Sequence, residues 1–191
     1  MKIAPLFMLA VAFILTGCAQ LSSSGGNKNA ASSNYLAQVA SPGCLSATSI
    51  NNTLTPPVLY QGMVSCVKAN NVNNGILLYA VAGSYSYFDA LRLDTDQARQ
   101  AHSSMLGEAL KMVTPQQQQA FWQALNTRLS DKQQLAGICR QVQGIGKPVY
   151  APVYLLSQSG GGSASAAEQT NLWHQALNGY LHCATDVITI R

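Results

Sequence analysis

Charge is what this sequence has least of. Only 9% of its 191 residues are Asp, Glu, Lys or Arg, against roughly 25% in an average soluble domain. Seven acids and eleven bases leave a formal charge of +4, and the bases form no cluster, so the electrostatic footprint of a nucleic-acid binder is missing. Acids come close together once, at Asp89, Asp94 and Asp96. Asp94-Thr95-Asp96 lacks the later glycine and glutamate of a calcium loop, and Asp89 is placed to pair with Arg92 three residues on. There is no CxxC. His174 and His182 are eight residues apart, which puts them about 80° apart around a helix and not stacked for a shared metal. His102 stands alone. No metal site and no cofactor are expected.

Catalytic signatures are equally scarce. A nucleophile needs a base and a group that orients the base. No Gly-x-Ser-x-Gly occurs, and Gly83-Ser84-Tyr85-Ser86 falls inside a helical pattern, where a serine has no exposed elbow. Gly160-Gly161-Gly162 lacks the lysine and the helix start that make a glycine loop a phosphate cradle. The sequence therefore predicts a protein that is not an enzyme. Long apolar runs are missing too. Ile3 to Leu15 is thirteen residues, broken by Pro5, whereas a membrane-spanning helix needs about 20.

What is present begins at that same N-terminus. Lys2 supplies a positive start, the apolar run follows, and Leu15-Thr16-Gly17-Cys18 closes it. This is the lipobox pattern of a lipoprotein signal peptide: small residues let the chain lie extended in the protease groove, and the thiol of Cys18 accepts the lipid. Residues 1–17 are expected to be removed and Cys18 lipidated, leaving 174 residues and a charge of +3 after Lys2 departs. Each buried lipid methylene contributes about 0.8 kcal/mol, so an anchored chain does not return to water. Ala19 stands where an Asp would signal inner-membrane retention, so the expected address is the outer membrane, facing the periplasm. Residues 18–34, with Ser22-Ser23-Ser24-Gly25-Gly26 at their centre, are expected to form a flexible tether with a reach of roughly 20 Å. The helical domain is expected to occupy residues 35–191.

Beyond Cys18 there are four cysteines, Cys44, Cys66, Cys139 and Cys183. An even number in an oxidising compartment reads as two disulfides, with three possible connectivities. The pairing expected is Cys44–Cys66, a local clip, and Cys139–Cys183, a staple across the C-terminal helices.

Periodicity and punctuation predict an all-α domain of about six helices. Thr55-Pro56-Pro57 starts one that runs to Asn70-Asn71. Gly75 to Leu93 carries Leu77, Leu78, Val81, Tyr85, Phe88 and Leu91 at helical intervals. Asp94 is expected to cap the next, which presents Ala98, His102, Met105, Ala109, Leu110 and Val113. Thr114-Pro115 restarts the chain, Ser130-Asp131 does so again, and Gly144 and Gly146 end that helix. Ala166 to Ala184 makes the last. Between them, Val149 to Leu156 leans towards β structure, but Pro148 and Pro152 exclude a central strand, so an extended segment lying over the helices is expected. Residues 187–191 form a short apolar tail. The packing expected is a compact bundle or a short array of antiparallel pairs.

Tyrosines cluster at Tyr79, Tyr85 and Tyr87, and Tyr150 and Tyr154 flank Pro152. A large apolar ring with one polar tip suits an interface, and loops carry recognition. Tyr150, Pro152, Tyr154, Gly160, Gly161 and Gly162 are therefore the partner-binding candidates.

This layout of lipobox, Ser/Gly tether and small helical domain with two disulfides, together with Tyr87-Phe88-Asp89-Ala90-Leu91-Arg92-Leu93-Asp94-Thr95-Asp96-Gln97-Ala98, resembles the immunity lipoproteins that accompany type VI secretion phospholipase effectors. The resemblance implies an anchored periplasmic protein that binds an incoming lipase and blocks its active-site entrance. A structural or assembly lipoprotein of a secretion or transport machine is the alternative.

Overall fold

A computed structural model describes residues 34–155 and 165–184. Cys18, the tether, Gly160 to Gly162 and the 187–191 tail lie outside the described residues. Within them the chain is all-helical, with six α-helices and no strand: α1 (Pro56–Lys68), α2 (Val72–Leu93), α3 (Asp96–Lys111), α4 (Pro115–Ser130), α5 (Lys132–Ile145) and α6 (Ala166–Leu181). Short single turns occupy Leu36–Gln38 and Val153–Leu155.

The boundaries follow from local chemistry. Thr114 Oγ1 accepts the Gln117 N–H and the Gln117 side chain reaches back to the Thr114 N–H, a reciprocal cap ahead of Pro115. Asp131 accepts from Gln133 and Gln134, and Ser165 accepts from Glu168. Asp94 is not the cap of α3 as expected. It closes α2 instead, in the left-handed conformation at φ 49°. Thr95, extended, supplies the Oγ1 that accepts the Ala98 N–H. The chain must reverse between two abutting helices, and Asp tolerates the left-handed region where threonine does not. α6 stops at Leu181, short of Ala184, because His182 takes the same conformation at φ 56°.

α2 is the axis of the fold, packing against all five other helices. A helix in that position must be apolar nearly all round: Ile76, Leu77, Leu78, Ala80, Val81, Ala82, Tyr85 and Phe88 are all buried. The outcome is one helix wrapped by five, not a row of antiparallel pairs. Its crossing with α6 is interlocked. Tyr180 of α6 lies directly on Gly83, where any Cβ would collide with the ring, and Tyr87 of α2 lies over Gly179, 2.9 Å from where its Cβ would be.

Both expected disulfides are present. Cys44–Cys66 clips the segment before α1 to that helix, and Cys139–Cys183 fastens α5 to the end of α6. Sequence separations of 22 and 44 give about 3.4 and about 4.0 kcal/mol by loop-closure entropy.

Residues 146–155 form a strap over the helices. Tyr85 Oη donates to the Gly146 carbonyl at 2.8 Å. The Val149 N–H donates to Asn52 O at 3.0 Å, and Asn52 Nδ2 donates to Lys147 O at 3.2 Å. The strap alternates: Pro148 and Pro152 are buried and Tyr150 and Tyr154 half-buried, while Val149, Ala151 and Val153 face out.

Candidate functional site

The strap's inner side meets the most unusual side chain of the molecule. Asp89 is on α2 with its carboxylate fully buried, 2.7 Å from Arg92 Nη2 through Oδ1. Its Oδ2 accepts the hydroxyls of Tyr150 at 3.0 Å and Tyr154 at 2.5 Å. Arg92 also donates to the Tyr150 carbonyl at 3.1 Å and stacks between the Phe88 and Tyr150 rings, 5.1 and 5.5 Å from their centroids. Burial pushes the Asp89 carboxyl above its usual range, while the Arg92 charge and the two hydroxyls pull it back. Burial, then the Asp89 charge, raise both tyrosines well above theirs, so they stay protonated donors. A buried charge is tolerated only when paired and hydrogen-bonded. Here Oδ2 takes both hydroxyls of the strap, while Oδ1 has the Arg92 charge beside it but no hydrogen bond, and Arg92 Nε is likewise left without one.

A second cluster surrounds His102 on α3. Tyr60 Oη lies 2.6 Å from His102 Nδ1, and the Tyr180 and Tyr79 rings sit at 5.0 and 6.4 Å. Tyr79 in turn meets Phe121 and Trp122 of α4 edge-on. Burial lowers the imidazole's pKa and raises that of the Tyr60 hydroxyl well above its usual value. The pair is therefore a neutral ring hydrogen-bonded to a protonated phenol, at the junction of α1, α2, α3, α4 and α6.

The candidates from the sequence are distributed as follows. Tyr150 and Tyr154 come together with Asp89 and Arg92, their hydroxyls turned inwards, and Pro152 is buried beside them. The strap therefore presents Val149, Ala151 and Val153 outwards, not its rings. Asp89 pairs with Arg92 as the three-residue spacing predicts. Asp94 and Asp96 share Arg99 at 2.7 Å each, in solvent, where ion pairs contribute little. Ser84 and Ser86 are buried within α2, and Ser86 Oγ donates to Ala82 O. His174 sits within α6 and His182 at its end. Among the described residues no group of three or more His, Cys, Asp or Glu is placed to hold a metal, and no helix is long and apolar enough to cross a membrane.

One contact had no local signal in the sequence. Glu108 on α3 accepts the N–H groups of Tyr35 and Leu36, at 3.2 and 2.9 Å, and Gln61 Nε2 donates to the Leu36 carbonyl at 2.8 Å. The start of the described chain is thereby clasped between α3 and α1, with Tyr35 edge-on to Tyr154 at 6.1 Å. No family model, curated protein or solved structure matches this chain.

Proposed function

We propose that this chain is an envelope-anchored binding protein that inhibits an incoming type VI secretion lipase effector in the periplasm, an immunity protein. The observation that carries this reading is the closure of the folded body: one central helix locked to its neighbours, two disulfides, and a strap hydrogen-bonded to the buried Asp89–Arg92 pair. A body so constrained meets a partner without ordering itself first, which lowers the cost of association. The lipobox supports the rest, because a lipid on Cys18 keeps the inhibitor on the membrane that a phospholipase attacks. Contact requires no charge. The α4–α5 hairpin offers exposed amides at Gln116, Gln119, Gln123, Gln133, Gln134 and Gln141, which bond a partner without the desolvation cost of ions.

The test uses the chain from residue 19 onwards as bait for the organism's secreted and envelope proteins. A stoichiometric complex with one secreted lipase, whose phospholipid hydrolysis stops on binding, is the expected result. Capture of resident envelope proteins alone overturns the reading in favour of an assembly lipoprotein.

A further inference from the structure

Four large apolar side chains stand exposed among the described residues: Tyr87, Met112, Val149 and Val153. Single exposed apolar residues are ordinary. Here their placement is not scattered. Tyr87 lies over Gly179, and the other three belong to the two pieces of chain that hold Tyr35. Glu108, one helical turn before Met112, accepts the N–H groups of Tyr35 and Leu36. Tyr154, the neighbour of Val153, sets its ring against Tyr35. Val149 and Val153 are 64% and 68% exposed on the outer side of the strap, with exposed Ala151 between them.

Tyr35 is also where the described chain leads back towards Cys18. Asn34 is exposed, and only residues 19–33 separate it from Cys18. At about 3.4 Å per residue those 15 residues span at most about 50 Å. Met112 and Val153 thus lie on the two pieces of chain whose Glu108 and Tyr154 touch Tyr35, the end of the domain from which the chain runs back to Cys18.

We propose that Met112, Val149 and Val153 form a membrane-seating face around the clasped residue Tyr35, its occupant the surface of the bilayer that carries the anchor. The proposal rests on the lipidation of Cys18. Valine and methionine side chains enter the boundary between headgroups and acyl chains, as the apolar side of an interfacial segment does. Each contributes little alone, but a tether makes the contact intramolecular, so a weak face is occupied. Charge agrees with this. Lys111 precedes Met112 and is exposed, able to reach anionic headgroups, whereas Lys147 Nζ is held by Gln169 Oε1 within the fold. The acids in contact with the strap or with Tyr35, Asp89 and Glu108, are engaged internally. The strap's rings fasten it from within while its aliphatic side meets lipid.

The experiment places a nitroxide at Ala151→Cys in the full chain isolated from the envelope. The protein is reconstituted in vesicles of phosphatidylethanolamine and phosphatidylglycerol, with Gln119→Cys on α4 as the comparison site. The expected result is that the Ala151 label gains collisions with membrane-dissolved oxygen and loses them with an aqueous nickel chelate, while the Gln119 label does not. Adding Val149→Asp and Val153→Asp is expected to return the Ala151 label to water. A label that collides with the chelate as freely as the Gln119 one, or that is shielded only when a protein partner is added, overturns the face. The mass of the N-terminal peptide reads the anchor separately: an unmodified Cys18 overturns the proposal at that step, distinguishably from a lipidated chain whose label stays in water.

Discussion

At the residue scale, His102 makes the clearest statement about conditions. It is held neutral, hydrogen-bonded through Nδ1 to the Tyr60 hydroxyl, and burial lowers its pKa from 6.5. The unfolded chain therefore takes up a proton first as pH falls. Stability is full above 6.5 and declines as pH drops through the window between 6.5 and the lowered value. Asp89 acts in the opposite sense. Its raised carboxyl binds a proton more readily folded than unfolded, so its contribution improves on acidification above 3.8. The two are separable by subtraction. In His102→Gln, whose amide offers the Tyr60 hydroxyl either an acceptor or a donor, the fall in urea midpoint between about pH 7.5 and about pH 5 is expected to be smaller than in the wild type. An unchanged pH dependence would assign the acid response to other groups. His102 was visible in the sequence as a lone histidine on an apolar stripe, but its phenolic partner, 42 residues away on another helix, was not.

At the scale of elements, the strap shows why some structure is legible locally and some is not. Its extended form follows from Pro148 and Pro152, which forbid both helix interior and central strand. Which side faces in does not follow, because a period-2 segment fits either way until a partner is chosen. The choice is made by Asp89. It lies about one turn before the end of α2, and its spacing to Arg92 gives the ion pair but not the burial. Once buried, with Arg92 beside Oδ1, its Oδ2 takes the Tyr150 and Tyr154 hydroxyls as donors, so the rings turn in and the valines turn out. Helix ends were easier, since Thr114-Pro115 and Asp131 carry their caps in sequence. The Asp94/Thr95 boundary missed by one residue because two helices abut there and one residue must take the left-handed turn. Replacing Asp89 by Asn tests the strap as an element. The Asn carbonyl oxygen can still accept both hydroxyls, as Oδ2 does now, but its NH2 faces Arg92 in place of the counter-ion, an expected loss of about 3 kcal/mol. Hydrogen exchange should quicken first at the Val149 amide, which bonds to Asn52. A uniform loss of protection, with no earlier opening at Val149, would mean that the strap is no separate unit.

At the scale of the whole molecule, the question is what makes a body of six short helices a single rigid object. Its all-helical class and the presence of two disulfides were legible, because periodicity, caps and an even cysteine count are local or countable properties; the pairing expected is the one found, but the count alone leaves three connectivities open. The central role of α2 was not, since a helix apolar nearly all round does not say how many neighbours cover it, and the close crossing with α6 depends on Gly83 meeting Tyr180 across 97 residues of chain. That crossing places α6 against the core through Trp173, Ala176, Leu177 and Leu181, while the Cys139–Cys183 bond holds its far end to α5. The two disulfides are therefore unequal. The clip at Cys44–Cys66 closes a segment already packed against α1, whereas the staple closes a loop twice as long, worth about 0.6 kcal/mol more by chain entropy, and guards a terminal helix that otherwise frays from its end. Replacing Cys139 and Cys183 together by Ala is expected to lower the thermal midpoint further than replacing Cys44 and Cys66, against a net stability of roughly 5–15 kcal/mol for such a domain. The α6 amides should lose protection before those of α2. If the clip proved the more costly to remove, stability would be governed by the N-terminal segment around Tyr35 and α1, and α6 would be held by the Gly83–Tyr180 interlock without need of its covalent staple.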